Sequence, residues 1–236
     1  MRAMILAAGY GKRMAPLTTE RPKALLSICG RPLLAHLLSA LERQGFHEIA
    51  VNSHHLAEQI HGFIEKYRRT SCVRLFESFE AEILDTGGGI KKMLEFFPGN
   101  QPVLVHNVDI LSDCDLRSLM AFHVANRCTA TLVIQRHPSE RPLRFDERLI
   151  FLGRGQPMDV TPQNYSFCGI QVIQPELFRQ YEQRRFYSID LYVDAAQRGK
   201  RIGGYVMESG YWRDIGRPED IAQAEADIKS GRFSLD

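Results

Sequence analysis

Two glycines and two cations near the amino end of the chain could form a phosphate-binding loop. They lie in residues 6–26, LAAGYGKRMAPLTTERPKALL. Gly9 and Gly11 have no Cβ atom, so backbone N–H groups there can approach phosphate oxygens closely. The guanidinium of Arg13 can contact a phosphate at two points, and the ammonium of Lys23 is a compact charge. These residue types could form a loop that contacts phosphate.

Two standard phosphate-binding motifs do not match this loop. Met14 stands where the dinucleotide fingerprint G-x-G-x-x-G has its third glycine. Arg13 stands where a P-loop has Ser or Thr after Gly-Lys. Taken alone, the Gly-x-Gly pair therefore favours an ordinary surface loop with solvated cations over a ligand site.

The charge of the chain is balanced overall but uneven along its length. Thirty Lys and Arg residues against 28 Asp and Glu residues give a formal charge of +2. Proteins that bind nucleic acid or anionic lipid are far more basic, so we expect neither partner. Residues 1–31 contain six Lys or Arg and one Glu, a net +5, which leaves −3 for the other 205 residues. This asymmetry indicates a local anion site.

Hydropathy and cysteine usage indicate the compartment. No apolar run approaches the roughly 18 residues of a membrane span. The apolar stretch 3–8 is too short for a signal sequence and runs into glycines and cations. The five cysteines are scattered and form no C-x-x-C pair, which argues against a disulfide framework and structural zinc. We therefore expect a cytoplasmic protein, without a membrane partner, whose cysteines are reduced and buried.

Strand-like and helix-like segments alternate along the first half of the chain. Residues 3–8 form a short apolar run, typical of a strand buried on both faces. Residues 33–45 have leucines at helical spacing and a terminal glycine. The following segments are strands 48–52, 73–77, 103–106 and 130–135, and helices 56–69, 88–97 and 115–126. This alternation predicts an α/β fold with a doubly wound, mainly parallel sheet.

The pattern changes after residue 142 to short strand-like pieces separated by turn residues, which predict a small antiparallel insertion. The pieces of this insertion are strands 143–145, 149–152 and 167–173. Helices 175–183 and 189–197, strand 202–207 and the closing helix 218–229 follow. Ligands of doubly wound sheets bind at the carboxyl ends of the strands. Candidate site residues should therefore follow predicted strands.

Three further segments carry candidate ligand-binding groups. The glycines of Leu84–Ile90 open a predicted helix, where unpaired N–H groups and the positive end of the helix dipole face outward. Asp109 lies just beyond predicted strand 103–106, and its carboxylate suits a Mg²⁺ ion that bridges phosphates. Asp214 lies in the segment YWRDIGRP, 105 positions from Asp109. Spacing alone does not pair these two acids.

Together, GxGxR followed by PLT and PK, the LDTGGGI loop, Asp109 and YWRDIGRP resemble the sugar-1-phosphate nucleotidylyltransferase family. The resemblance covers most of the chain and implies a Rossmann-like, glycosyltransferase-A-like form of the α/β fold. It implies that Arg13 and Lys23 are catalytic and stabilise the α-phosphate and the pyrophosphate leaving group. It also implies that Asp109 and Asp214 bind Mg²⁺. Val108 departs from the family, which usually has Gly there.

The same resemblance implies the substrate-binding residues and the domain organisation. The nucleotide would contact Leu6, Ala7, Ala8, Gly9, Gly11, Lys12, Gly87, Gly88 and Asn107. The sugar phosphate would contact Thr86, Arg154, Gly169 and Asp190, with Arg154 in place of a family Lys. The chain would be one domain, 1–236, with a nucleotide-binding part (1–135), an insertion that forms the sugar pocket (136–210) and a closing segment (211–236).

The implied reaction transfers a nucleoside monophosphate from a nucleoside triphosphate to a sugar-1-phosphate, giving an NDP-sugar and pyrophosphate by Mg²⁺-dependent in-line displacement. UTP or GTP would be the donor, as in short family members that act on muramate- or mannose-type phosphates. Two alternatives stay open: a CTP:phosphocholine-type cytidylyltransferase, which shares the first loop, and a non-catalytic nucleotide-binding regulator on the same fold. We expect a monomer or a homodimer.

Overall fold

The computed structural model describes residues 1–157, 161 and 163–235. The chain forms two compact units. The first contains Met1–Ile83, His106–Cys114 and the described residues from Tyr211 onward, and the second contains Leu84–Val105 and the described residues of Asp115–Gly210. Both ends of the chain therefore belong to one unit. The sequence-based division into 1–135, 136–210 and 211–236 groups the chain differently and stays a prediction.

The helices and strands follow one another as β1 (Arg2–Leu6), α1 (Leu17–Glu20), β2 (Ser27–Ile28), β3 (Arg31–Pro32), α2 (Leu33–Arg43), β4 (Glu48–Ser53), α3 (Ala57–Arg68), β5 (Arg74–Phe79), α4 (Asp85–Met93), β6 (Val103–Asn107), β7 (Ile110–Ser112), α5 (Leu116–Ala125), β8 (Ala130–Gln135), β9 (Leu143–Phe145), β10 (Phe151–Arg154), β11 (Asn164–Ile173), α6 (Pro175–Arg179), α7 (Ser188–Gln197), β12 (Ile202–Val206), β13 (Trp212–Asp214) and α8 (Pro218–Lys229). Single 3₁₀ turns occupy Lys12–Met14, Lys23–Leu25 and Leu94–Phe96.

The first unit contains a parallel sheet in which β4 lies between β1 and β5. Ala3, Met4 and Ile5 of β1 are fully buried, as predicted for a strand covered on both faces. Helix α2 buries its predicted leucine stripe, and α3 buries Ile60 and Ile64, which are four residues apart on one face. The parallel strands joined by these helices are the α/β arrangement that the sequence predicts.

Two small antiparallel pairs complete the first unit: β2 with β3, and β7 with β13. The sequence patterns miss these four strands and α1, because elements of two to four residues are too short to show a period. Helix α8 follows β13, with Pro218 at its first turn. The carboxylate of Asp220 accepts the N–H groups of Gly216 and Arg217 and so caps the start of α8.

The second unit contains a mixed sheet. Strand β8 pairs parallel with β12 and antiparallel with β11, and β9 pairs antiparallel with β11 and β10. This pairing confirms the antiparallel character predicted for residues 143–173. Several boundaries differ from the prediction. Helix α4 begins at Asp85, so its glycines lie within the first turns, and β10 begins at Phe151. Strand β11 begins at Asn164 and α6 ends at Arg179.

The cysteines correct one expectation. All five are free thiols, but Cys29 and Cys72 are exposed, so the prediction that every cysteine is buried is wrong for these two. Both lie in connecting segments, where apolar periodicity gives no information on burial. No helix among the described residues is both long enough and apolar enough to cross a membrane.

Candidate active site

Asp109 and Asp214 become neighbours through the pairing of β7 with β13. In this register Asp214 lies opposite Ile110, the residue that follows Asp109. The N–H of Ile215 also donates to the carbonyl of Asp109, at 2.8 Å. Two three-residue strands therefore bring together acids that are far apart in sequence.

The carboxylate of Asp214 is in an unusual electrostatic environment. Burial raises its pKa above the ordinary value, and the nearby negative charge of Asp109 raises it further, while Lys23 and Arg13 oppose the shift. Its Oδ1 atom is buried and has no hydrogen-bond partner among the described residues. A buried carboxylate oxygen without a partner is costly, which favours a ligand for this atom.

Both predicted catalytic cations contact these acids. The ammonium of Lys23 forms a close ion pair with Oδ2 of Asp109. The guanidinium of Arg13 lies 3.7 Å from Oδ2 of Asp214. A Cβ atom on Gly216 would lie 3.0 Å from Nη1 of Arg13, so a side chain there would displace the guanidinium. The structure thus brings the four charged groups together, and their catalytic and metal-binding roles stay predictions.

The Gly9–Gly11 loop is held by hydrogen bonds that the sequence did not reveal. Gly11 has φ +63°, and a Cβ there would lie 2.9 Å from the Thr18 methyl carbon. The Thr18 hydroxyl donates to the Gly11 carbonyl at 2.9 Å, and Nε2 of His55 donates to the Thr18 carbonyl at 2.9 Å. A Cβ on Gly9 would meet nothing within 4 Å, so the surface there is open.

The exposed side chain of Tyr10 contacts the side chains of His54 and Lys12. Nδ1 of His54 donates to the Glu80 carbonyl at 2.7 Å, and Nε2 of the same ring is hydrogen-bonded to the Tyr10 hydroxyl at 3.1 Å. The ammonium of Lys12 lies 5.5 Å from the centre of the Tyr10 ring. His54 contacts Tyr10 and His55 contacts Thr18, so these two adjacent histidines both support the loop.

A buried polar pair fixes the end of β1. The N–H of Ala7 donates to Oδ1 of Asn52 at 2.6 Å, and the amide of Asn52 donates to the carboxylate of Glu80 at 2.7 Å. Asn52 and Glu80 are both nearly inaccessible to solvent. Sequence analysis missed them because only the parallel pairing of β1, β4 and β5 brings them beside the loop.

The strand end before Asp109 is also fixed. The N–H of Val108 donates to the carbonyl of Leu6 at 3.1 Å, and the Val108 side chain is buried. Val108 in place of the usual Gly therefore adds no exposed side chain. His106 is buried too, and burial lowers its pKa to about 4, so its ring is neutral at pH 7.

In the second unit, the glycines of α4 have a packing role that corrects one expectation. The N–H groups of Gly87 and Gly88 both donate to the carbonyl of Phe186, at 2.8 and 3.3 Å, so the prediction that they are unpaired is wrong. A Cβ on Gly87 would lie 2.3 Å from the Phe186 ring, and one on Gly88 would lie 2.3 Å from the Arg184 carbonyl. Close backbone packing therefore explains these glycines, and contact with a nucleotide stays a prediction.

The predicted sugar-binding residues of the second unit already have partners within the chain. Thr86 accepts the N–H of Ser188 through its hydroxyl, at 3.0 Å. Arg154 forms an ion pair with Asp190, and both side chains are about half exposed. Gly169 lies within β11 with φ +75°. The charge of Arg154 is thus largely balanced in this state.

A cavity of about 800 Å³ also lies in the second unit. The described residues that line this cavity are Arg136, Asp146, Glu147, Leu149, Thr161, Gln163, Tyr165, Val206 and Glu208. Thr86, Arg154, Gly169 and Asp190 are not among these lining residues. The cavity therefore does not test their predicted role.

Comparison with known proteins identifies relatives over nearly the whole chain. Residues 2–145 match the family model described as "Nucleotidyl transferase". The N-acetylmuramate alpha-1-phosphate uridylyltransferase of Neisseria meningitidis serogroup B is 32% identical over 230 residues, which cover 96% of this chain and 97% of that protein. The mannose-1-phosphate guanylyltransferase of Mycobacterium tuberculosis is 30% identical over 240 residues, which cover 97% of this chain and 65% of that protein.

Solved structures share the fold at lower identity. A UDP-glucose pyrophosphorylase from Acinetobacter baumanii superimposes with a TM-score of 0.81 at 15% identity, and the match covers 99% of this chain and 95% of that one. At this level of identity the likeness shows the fold, a mixed α/β arrangement with a mainly parallel central sheet, as the sequence predicted.

Proposed function

The chain belongs to the nucleotidyl transferase family, and from this premise we propose that it transfers a nucleoside monophosphate from a nucleoside triphosphate to a sugar-1-phosphate. The products are an NDP-sugar and pyrophosphate. The observation that carries the proposal is the meeting of Asp109, Asp214, Lys23 and Arg13 in the first unit. Relatives named as uridylyl- and guanylyltransferases favour UTP or GTP as the donor.

The reaction is a phosphoryl displacement that needs no protein nucleophile. An oxygen of the sugar phosphate attacks the α-phosphorus, the new O–P bond forms, and the bond from the α-phosphorus to the bridging oxygen breaks as pyrophosphate leaves. The attacking phosphate is already ionised at neutral pH, so the barrier is mainly the meeting of two anions and the charge that builds on the leaving group. Arg13 and Lys23 supply positive charge against both.

The acids of the site fit Mg²⁺. Asp109 and Asp214 offer hard carboxylate oxygens, and Oδ1 of Asp214 is buried without a partner among the described residues. These two residues would hold the ion, which when bound neutralises phosphate charge and polarises the reacting phosphate.

The substrate contacts follow from the loops. We assign the triphosphate to the first loop, at Leu6, Ala7, Ala8, Gly9, Gly11 and Lys12, because Gly9 is open and the loop is held rigid by Thr18 and His55. Gly87, Gly88 and Asn107 are the further nucleotide contacts, and Thr86, Arg154, Gly169 and Asp190 are the sugar contacts. Cytoplasmic location and oligomeric state stay predictions of the sequence.

The test is a matrix of pyrophosphate release with Mg²⁺. UTP, GTP, CTP and ATP are each paired with a panel of sugar-1-phosphates that includes N-acetylmuramate-1-phosphate and mannose-1-phosphate, and CTP is also paired with phosphocholine. We expect release with UTP or GTP and one sugar phosphate, and none from an Asp109→Asn variant. Pyrophosphate release only with CTP and phosphocholine would indicate the cytidylyltransferase. No pyrophosphate release with any pair of substrates would contradict the proposal.

A further inference from the structure

We propose that Lys23 is an internal counter-cation of the metal site: its ammonium occupies Asp109 while no divalent ion is bound, and leaves Asp109 when such an ion enters with the nucleotide. This inference rests on the proposed function and deepens it, because it states how the site is kept before its substrates bind. The consequence is that metal and nucleotide bind cooperatively.

The Lys23–Asp109 ion pair is well shielded and fixed in place. The Lys23 side chain is 12% exposed and that of Asp109 is 23% exposed, so little water competes for the pair. The Lys23 backbone lies in a 3₁₀ turn whose hydrogen bonds run from Leu25 to Pro22, at 2.8 Å, and from Leu26 to Lys23, at 3.1 Å. The fold therefore fixes the backbone position from which the Lys23 side chain reaches Asp109.

The other cation of the site is held more loosely. The Arg13 side chain is 64% exposed and its guanidinium lies 3.7 Å from Asp214. Asp214 also keeps one buried oxygen without a partner among the described residues. The two acids thus differ: Oδ1 of Asp214 has no partner among the described residues, while Oδ2 of Asp109 is paired with Lys23.

The two carboxylates lie close together, because the pairing of β7 with β13 sets Asp214 opposite the residue that follows Asp109. Their negative charges repel each other, and the cations that contact them, Lys23 on Asp109 and Arg13 on Asp214, offset this repulsion. An ammonium and a divalent ion on one carboxylate would repel each other strongly at such short range. A metal ion that binds Oδ2 of Asp109 displaces Lys23, and this displacement weakens metal binding to the nucleotide-free protein.

A nucleoside triphosphate removes this penalty. Its phosphates offer Lys23 another anionic partner, so the ammonium can leave Asp109 without losing a counter-charge. By linkage, a nucleotide that frees Asp109 must tighten the metal, and the metal must tighten the nucleotide by the same factor.

The direct test is a titration of the nucleotide-free protein with Mn²⁺, in which electron paramagnetic resonance measures the concentration of free ion. Lys23→Met should bind Mn²⁺ at least about tenfold more tightly than the wild type, since tenfold in affinity corresponds to only about 1.4 kcal/mol. Lys12→Met is the matched control: it removes the same charge from the same loop, but its ammonium lies over the Tyr10 ring. The control should change Mn²⁺ affinity by less than about threefold. Circular dichroism establishes that both variants are folded.

Equal or weaker Mn²⁺ binding by Lys23→Met would overturn the proposal, since Lys23 would then support the metal site rather than occupy it. Should Lys23→Met not fold, wild-type protein gives the answer through acylation of lysines by an amine-selective reagent, read by mass spectrometry. Saturating Mn²⁺ should raise the labelling rate of Lys23 several-fold and leave Lys12 unchanged, and an unchanged Lys23 rate would overturn the proposal. Neither measurement uses nucleotide or turnover, so the result is independent of the pyrophosphate matrix.

Discussion

The Gly9–Gly11 loop and the start of α4 are both rich in glycine, but their surroundings in the structure differ. In the first unit, Gly9 faces open space and Asp214 keeps a buried oxygen without a described partner. In the second unit, the N–H groups of Gly87 and Gly88 are taken by Phe186. In the first region a buried carboxylate oxygen has no hydrogen-bond partner among the described residues. In the second region the glycine N–H groups are already hydrogen-bonded within the chain. Glycine richness alone therefore does not distinguish a ligand site from a packing device.

The largest expected effect concerns the first of these regions: the loss of turnover when Lys23 is replaced. Lys23→Ala removes a charge that stabilises the phosphates in the transition state, so turnover in pyrophosphate release should fall by a factor on the order of 10² to 10³. Near-normal turnover in a folded Lys23→Ala protein would contradict the catalytic role and leave only the counter-cation role.

The packing role of the second region predicts a stability effect. Gly87→Ala places a Cβ 2.3 Å from the Phe186 ring, so overpacking should lower the free energy of unfolding by about 1–3 kcal/mol. Urea denaturation measures this loss, and Phe186→Leu combined with Gly87→Ala should recover part of it. A fully stable Gly87→Ala protein with weakened nucleotide binding would break the comparison, because the glycine would then serve the ligand.

A smaller effect is expected where a glycine makes room for a catalytic side chain. Gly216→Ala puts a Cβ 3.0 Å from the Arg13 guanidinium. We expect a loss of about tenfold in kcat with little change in Tm, because misplacing a positioned group impairs the transition state more than the fold. Gly9→Ala is the control for stability, since its Cβ would meet nothing within 4 Å. If Gly216→Ala retained wild-type kcat, the placement of Arg13 would not matter for the reaction.

The smallest effect concerns the stability of the metal-free protein. The pKa of Asp214 is raised in the folded state, so its ionised form opposes folding at neutral pH. Asp214→Asn should therefore raise the free energy of unfolding at pH 7, by less than about 1 kcal/mol because solvent reaches part of the side chain.

The pH dependence gives the sign of that effect. The difference between Asp214→Asn and wild type should be fully present above the raised pKa and should disappear as pH falls towards the ordinary value of 3.8. Denaturation curves at several pH values measure it. A variant that is less stable than wild type at pH 7 would show that the Asp214 carboxylate supports the fold.

Local patterns were enough to predict most of the regular structure. The apolar run in β1, the leucine stripe of α2 and the glycine-cation loop all carry their information within a few neighbouring residues, so periodicity and residue type identify them. The alternation of such elements was also enough for the α/β class, because parallel strands require helical crossovers.

The arrangement of the site needed the folded chain. Asp109 meets Asp214 only because β7 pairs with β13, and strands of three residues have no period that a sequence reveals. The contacts of Tyr10 with His54 and of Ala7 with Asn52 join residues that are 44 and 45 positions apart along the chain. The parallel pairing of β1 with β4 brings them together. The sequence by itself determined which residue types could handle phosphate and the class of fold that presents them. Which of these groups meet, and which are already paired, was decided by long-range contacts, because hydrogen bonds and charges act through space and not along the chain.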